Sequence, residues 1–240
     1  MTFHIITLFP ETIKPYLKSS IVGRAEQKGL VKVRYYSLLD FSSNKHRKIR
    51  PERSRRVDDR PYGGGPGMVI QIEPVIKVIQ SVKSKIKGQK SKIILFSASG
   101  KQFNNKIASR LAEKFNHLIL VCGRYEGIDE RIKKILKDNF SAKGGKIEEL
   151  SIGPYVLTGG ELPAMLLVDT VSRQIKGVLG KEESLEEKRL GVGVPAYTRP
   201  EVFDYRGKKY RVPRVLTSGD HAKIQKWREK SKKGKSWQFG

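Results

Sequence analysis

Apolar side chains recur along this chain in two rhythms. Short apolar runs at residues 4–9, 93–96 and 118–122 predict strands, the last two buried, and residues 31–36, where Lys32 and Arg34 interrupt the apolar positions, predict another. Between them, apolar positions fall three or four residues apart. Val75, Ile79, Val82 and Ile86 form one such stripe. Ile107, Leu111 and Phe115 form another, behind Asn104, a residue suited to cap a helix. Ile128, Ile132, Ile135 and Leu136 mark a third helix, and residues 161–175 a fourth. A further helix starts at Pro10 and Glu11, because a first turn tolerates proline's missing N–H. Residues 152–157 fit a strand or an extended loop. The alternation predicts an α/β domain built on a mostly parallel sheet.

From Gly177 the rhythm changes. Residues 181–195 are charged, glycine-rich and aperiodic, which predicts a flexible lid or linker over 177–196. Residues 220–230 predict a short basic helix containing Trp227, either a stacking residue for RNA or the core of a small domain. The expected division is therefore a large domain over 1–176 and a small, mainly helical one over 197–240. Residues 41–68 make a polar, basic loop too long for a passive connection.

Charge narrows the partners. Lys and Arg number 49 against 24 Asp and Glu, a formal net charge of +25. Such a field favours a polyanion, either nucleic acid or an anionic membrane. The charge is clustered. Lys45, Arg47, Lys48, Arg50, Arg53, Arg55 and Arg56 precede a glycine-rich loop, and Lys230, Lys232, Lys233 and Lys235 form a second group. No apolar run approaches a membrane span, and the first residues lack the basic start and cleavage site of a signal peptide. Cys122 is the only cysteine, which fits a reducing, cytoplasmic location. His4, His46, His117 and His221 show no ligand spacing, so no metal site is expected from them.

Residues 57–68 carry the densest chemistry: adjacent Asp58 and Asp59, then Arg60, Tyr62, and four glycines ending at Gly67. Two carboxylates would repel phosphate. A purine edge suits them better, since guanine N1–H and N2–H both donate to a carboxylate. The plainer alternative is a glycine-rich surface turn. Open parallel sheets bind ligands at the carboxyl ends of their strands. Three loops fall there, at residues 97–100, 123–127 and 158–161, and none holds a P-loop. Residues 191–196 match a dinucleotide fingerprint, but no strand precedes them and Pro195 would disturb the following helix. A cofactor without a phosphate cradle, such as S-adenosylmethionine, fits best. Glu126 sits where a working carboxylate would, or caps a helix beginning near Ile128. Arg173 follows Asp169 by four residues, which a plain helical ion pair would also explain.

Residues 6–10, 57–68, 120–131, 151–153, 155–157, 159–165, 171–173, 177–180, 197–202 and 218–219 together resemble the bacterial tRNA (guanine-37-N1)-methyltransferases of the SPOUT superfamily. The likeness runs along nearly the whole chain. It implies a parallel-sheet domain with a deep trefoil knot and a homodimer whose active sites are shared between subunits. S-adenosyl-L-methionine would lie against Gly123, Ile152, Gly153, Pro154, Tyr155, Val156 and Leu157, with Leu95, Phe96, Ser97, Gly159, Gly160 and Pro163 nearby. The target guanine of tRNA would meet Tyr125, Glu126 and Gly127, and Asp58 and Gly67 would read the guanine before it. Arg173 would stabilise charge on guanine O6. Magnesium dependence is a further implication.

The chain departs from that pattern in several places. Pro154 stands where many members have an acid, Ala98 and Ser99 replace Pro-Gln, residues 48–56 carry an insertion, and the C-terminal domain is short. The lid is shortened, so the catalytic aspartate position counts to Lys188, a protonated group unfit to be a base. Glu187, one residue earlier, is the expected base, with Glu186 beside it. Two other readings are a silent RNA-binding protein of the same fold and a ribosomal RNA methyltransferase. Intact Arg173 and Glu126 count against the first, and the Asp58 loop against the second.

Overall fold

A computed structural model describes residues 1–42, 56–140, 146–180 and 194–233. The chain divides into two compact units, Met1–Leu179 and Gly180–Gly240.

The first unit is built on β1 (Thr2–Thr7), β2 (Lys32–Ser37), β5 (Ser91–Gln102), β6 (His117–Val121) and β7 (Lys146–Ser151). All pair in parallel, in the order β2-β1-β6-β5-β7. Side chains alternate across a strand, and here both faces are apolar. Phe3, Ile5, Ile94, Leu118 and Leu120 point into one layer. There they meet α1 (Pro10–Leu17), α2 (Ser20–Gln27), α4 (Asn105–Lys114) and α6 (Glu161–Arg173) through Ile13, Val22, Leu111 and Leu167. Ile6, Ile93, Leu95, Ile119 and Val121 point the other way, to Val75, Ile79 and Val82 of α3 (Ile72–Lys85) and Ile132 and Leu136 of α5 (Arg131–Phe140). Each such buried side chain stabilises the fold by about 1.5–3 kcal/mol relative to exposure.

Several elements differ from the sequence expectation. β7 was not expected, because its apolar residues are broken by charge. Glu148 on it is nearly buried, and the Lys92 and Arg110 side chains pair with it. α2 was also not expected, its apolar face being short. Residues 97–100 are not a loop beyond the strand. β5 runs on through them to Gln102, with a register shift against β7 between Phe96 and Lys101. A Cβ on Gly100 would lie 2.7 Å from the Leu150 carbonyl carbon, so glycine permits this close crossing. Asn104 does cap α4, its side chain accepting from the Ile107 N–H at 3.0 Å. A small hairpin of β3 (Asp58–Asp59) and β4 (Val69–Ile70) closes the glycine-rich loop.

The second unit contains an antiparallel hairpin of β8 (Val202–Tyr205) and β9 (Lys208–Arg211), then α7 (Arg214–Thr217) and α8 (His221–Lys233). Among its described residues helix outweighs strand, and the hairpin is the element the sequence did not predict. Trp227 packs against Tyr197 with ring centroids 6.2 Å apart, which favours the core reading for this tryptophan.

A buried polar chain crosses the first unit. His4 Nε2 lies 3.0 Å from His117 Nδ1, His4 Nδ1 lies 3.1 Å from Tyr36 Oη, and His117 Nε2 meets Gln89. Burial, then the charges of His117, Arg34 and Lys85, lower the His4 pKa to about 4. Burial lowers His117 as well. An unfolded histidine titrates near 6.5. Between these values the unfolded chain binds more protons, so stability falls as pH drops from about 6.5 towards 4. Thermal midpoints measured from pH 7.5 to 4.5 should fall more steeply for the wild type than for His4→Gln. Parallel slopes would show that His4 is not the proton-linked group.

Candidate functional site

A cleft of about 300 Å³ opens at the carboxyl ends of β6 and β7 and beside residues 95–98 of β5, where its register against β7 breaks. This is the edge where parallel strands leave backbone groups free for a ligand. Leu95, Phe96, Ser97, Gly123, Ile152, Gly153, Tyr155, Val156, Leu157, Gly159, Gly160 and Pro163 all line it, as do Tyr125, Glu126 and Gly127. Pro154 does not. It is exposed, between Gly153 and Tyr155.

Glycine shapes two parts of this wall for different reasons. A Cβ on Gly160 would lie 2.6 Å from Cys122 Cα, so its absence lets the segment before α6 press onto the end of β6. The Gly160 N–H donates to the Gly123 carbonyl at 2.8 Å. A Cβ on Gly123 would meet only Ile128, at an ordinary 3.6 Å. The protein itself does not need glycine there, and the space left open belongs to the cleft.

Beneath the cleft lies a polar cluster that sequence reasoning missed. Glu161, at the first turn of α6, is 4% exposed. It accepts from Thr7 Oγ1 at 2.6 Å. Its Oε2 lies 2.9 Å from Arg124 Nε in ion-pair contact, without the alignment of a linear hydrogen bond. The Arg124 guanidinium also stacks on Phe9, 4.8 Å from the ring centroid, and reaches the Thr158 carbonyl. Thr7 in turn accepts from the Phe9 N–H. Burial, and then the Glu161 charge, push the Cys122 thiol well up, so it stays protonated. Glu130, Lys133 and Glu149 line the outer wall, with Lys133 paired to both carboxylates. Its hydrogen bond to Glu130 raises the Lys133 pKa despite partial burial. Arg124 and Glu161 fall in the expected ligand-binding loops 123–127 and 158–161, but nothing in the sequence signals that they pair with each other and with Thr7.

The hairpin loop of β3 and β4 docks on the turn after β6. Met68 O accepts from the Glu126 N–H at 3.0 Å, and Gly127 O accepts from the Ile70 N–H at 2.9 Å. Gly67 has φ +91, and a Cβ there would overlap the Glu126 carboxylate. Asp58 lies on β3 opposite Ile70, half-buried and outside the cleft wall. Glu126 does not cap α5. That helix starts at Arg131, whose N–H donates to Asp129 Oδ1 at 3.0 Å.

Arg173 ends α6, twelve residues beyond Glu161. At 1.5 Å per residue that is roughly 18 Å along the axis, and Arg173 does not line the cleft. Asp169 accepts from the Tyr16 hydroxyl at 2.9 Å. Glu186, Glu187 and Lys188 lie outside the described residues, as do Lys45 to Arg55 and Lys235. Among the described residues, no three His, Cys, Asp or Glu side chains gather to hold a metal ion. No helix there is long and apolar enough to cross a membrane.

Comparison with known proteins shows what the whole chain is similar to. Residues 1–239 match the family described as tRNA (Guanine-1)-methyltransferase TrmD. A tRNA (guanine-N(1)-)-methyltransferase of Dictyoglomus turgidum is 47% identical over 229 residues, covering 94% of this chain and 82% of its own. The protein of that name from Ruminiclostridium cellulolyticum is 46% identical over 231 residues, 95% of this chain and 89% of its own. The one from Pasteurella multocida is 43% identical over 240 residues, 99% of this chain and 89% of its own.

The two glycines should respond differently to a single methyl group. Gly160→Ala should cost about 1–3 kcal/mol, the range for overpacking, and Gly123→Ala should leave the thermal midpoint near wild type. Equal midpoints for the two variants would remove the distinction.

Proposed function

This chain belongs to the TrmD family of tRNA (guanine-1)-methyltransferases, and from that membership we propose that it moves a methyl group from S-adenosyl-L-methionine to N1 of guanine 37 in tRNA, beside the anticodon. The observation that carries the reading is the seat of Gly67 on Glu126, which brings the loop suited to a guanine edge onto the rim of the cleft.

The cleft fits an adenosine joined to an amino acid. Leu95, Ile152, Leu157 and Pro163 offer apolar walls, backbone groups of residues 123–127 and 152–160 are at hand, and Gly123 leaves room for the ligand. When bound, S-adenosylmethionine supplies an electrophilic methyl on a sulfonium. The chain must do the rest. Guanine N1 carries a proton and has no lone pair to offer until a base removes it. Glu187 is assigned as that base, and Arg173 as the cation that stabilises charge gathering on O6. Tyr125, Glu126 and Gly127 position the target base, and Asp58 accepts from the guanine before it.

Arg173 lies far along α6 from the cleft of its own chain, which favours a site completed by a second subunit. Leu162 and Leu166, one helical turn apart on α6, are 55% and 38% exposed, and Tyr16 beside them is 50% exposed. That apolar face suits a homodimer contact. A trefoil knot is the proposed threading. It is supported by the return of the chain after β7 to bridge Gly159 with Arg124 in the loop after β6. Residues 177–196 are assigned as the lid and 197–240 as a tRNA-binding domain, in a cytoplasmic enzyme.

Methyl incorporation into tRNA transcripts with guanine or adenine at position 37 tests the reading. Incorporation should need guanine 37. Glu187→Gln should slow transfer about a hundred-fold or more, as for a lost general base. Arg173→Ala and Gly123→Val chains, each inactive, should regain part of the activity when mixed. Methylation of both transcripts alike would refute the assigned position. Mixed chains as inactive as either parent would refute the shared site.

A further inference from the structure

The β8–β9 hairpin carries side chains that the methyl-transfer reading leaves unused. In its register Phe203 faces Tyr210 and Tyr205 faces Lys208. Alternation therefore puts Phe203, Tyr205, Tyr210 and Lys208 on one face of the ribbon, with Val202, Asp204, Lys209 and Arg211 on the other. The three aromatic residues are 56%, 53% and 50% exposed. The Arg206 guanidinium lies 5.3 Å from the Tyr205 ring centroid, and the Lys208 ammonium 5.5 Å from that of Tyr210. The turn is Arg206-Gly207, with φ of +53 and +76. Asparagine is the residue such a turn favours, so an arginine there carries a conformational cost that the turn itself does not repay. Asp204, the one acid in the two strands, is engaged by the Gly207 N–H.

A two-stranded ribbon is marginal in water on its own, and three exposed rings on one of its faces make an apolar surface that calls for an occupant. The occupant must offer flat apolar faces and negative charge together, because Arg206 and Lys208 are exposed beside the rings, with Lys209 and Arg211 exposed on the opposite face of the ribbon. A second copy of the same hairpin would bring like charge against like charge. Unpaired RNA meets both demands, since bases stack on aromatic rings while phosphates neutralise the cations.

We propose that the β8–β9 hairpin is a stacking platform for unpaired nucleotides of the tRNA. Phe203, Tyr205 and Tyr210 take base faces, and Arg206 and Lys208 take the flanking phosphates. This rests on the reading of the chain as a tRNA methyltransferase and adds where the single-stranded part of that substrate is held.

The test is binding of the full-length chain to a tRNA transcript and to a fully paired RNA duplex, across a range of salt. Tyr205→Leu with Tyr210→Leu keeps apolar bulk on the strands and removes the ring faces. It should weaken tRNA binding about tenfold or more, the scale of lost base stacking, and leave duplex binding and the salt slope unchanged. Arg206→Asn with Lys208→Gln suits the turn at least as well as the natural residues. It should lower the salt slope by roughly one to two. Wild-type tRNA affinity in the leucine pair would overturn the platform, as would an equal loss for duplex RNA. So would dissociation of an oligomer by the leucine pair, which would mark the face as a subunit contact. A wild-type chain that binds and methylates tRNA while the leucine pair binds as well sinks only the platform. A wild-type chain that binds no tRNA sinks the enzyme reading with it.

Discussion

Glu161 joins three segments that are far apart in sequence. It sits at the start of α6, accepts from Thr7 at the end of β1, and pairs with Arg124 just after β6. A buried ion pair is a poor source of net stability, because desolvation offsets most of the attraction. This one is favourably placed. The helix N-terminus suits a negative charge, the threonine hydroxyl satisfies one oxygen, and Phe9 covers the guanidinium. Its consequence is geometric. Residues 158–160 are drawn against residues 123–124, where a Cβ on Gly160 would not fit.

The cleft follows from that closure. Strand ends alone would leave a shallow edge. The docked segments after β6 and β7 give it two walls, and the bulged end of β5 gives a third. The same turn after β6 then receives the β3–β4 loop through Met68, Ile70 and Gly67. One short segment, residues 123–127, thus faces the proposed cofactor cleft on one side and the proposed guanine-reading loop on the other. Methyl transfer needs the two reactants held within near-attack distance, and a shared turn does this with few moving parts.

Much of the first unit was legible because its central strands β5 and β6 hold continuous apolar runs and several of its helices carry clean stripes. Residues 93–96 and 118–122, and the Asn104 cap, fell where their patterns put them. β7 was not legible, since Lys146, Glu148 and Glu149 look like a solvated segment until Lys92 and Arg110 are seen to neutralise Glu148. The β8–β9 hairpin was hidden for a related reason. Its rings are exposed, so no alternation of buried and exposed positions marks the strands. Motif likeness located the cleft-lining glycines and the 123–127 turn, and its segments included Thr7 and Glu161, but not the hydrogen bond between these two, which joins residues far apart in the chain. Pro154 was placed at the cleft by the family likeness over residues 152–157, and its exposed side chain does not line it.

The central claim is that residues 95–97, 123–127 and 152–160 together hold S-adenosylmethionine. Hydrogen–deuterium exchange of the intact chain, with and without saturating S-adenosylmethionine, tests it directly. The account predicts slowed exchange in peptides covering those three segments and little change in the β8–β9 hairpin. Unchanged exchange there, with protection appearing elsewhere in the chain, would contradict it.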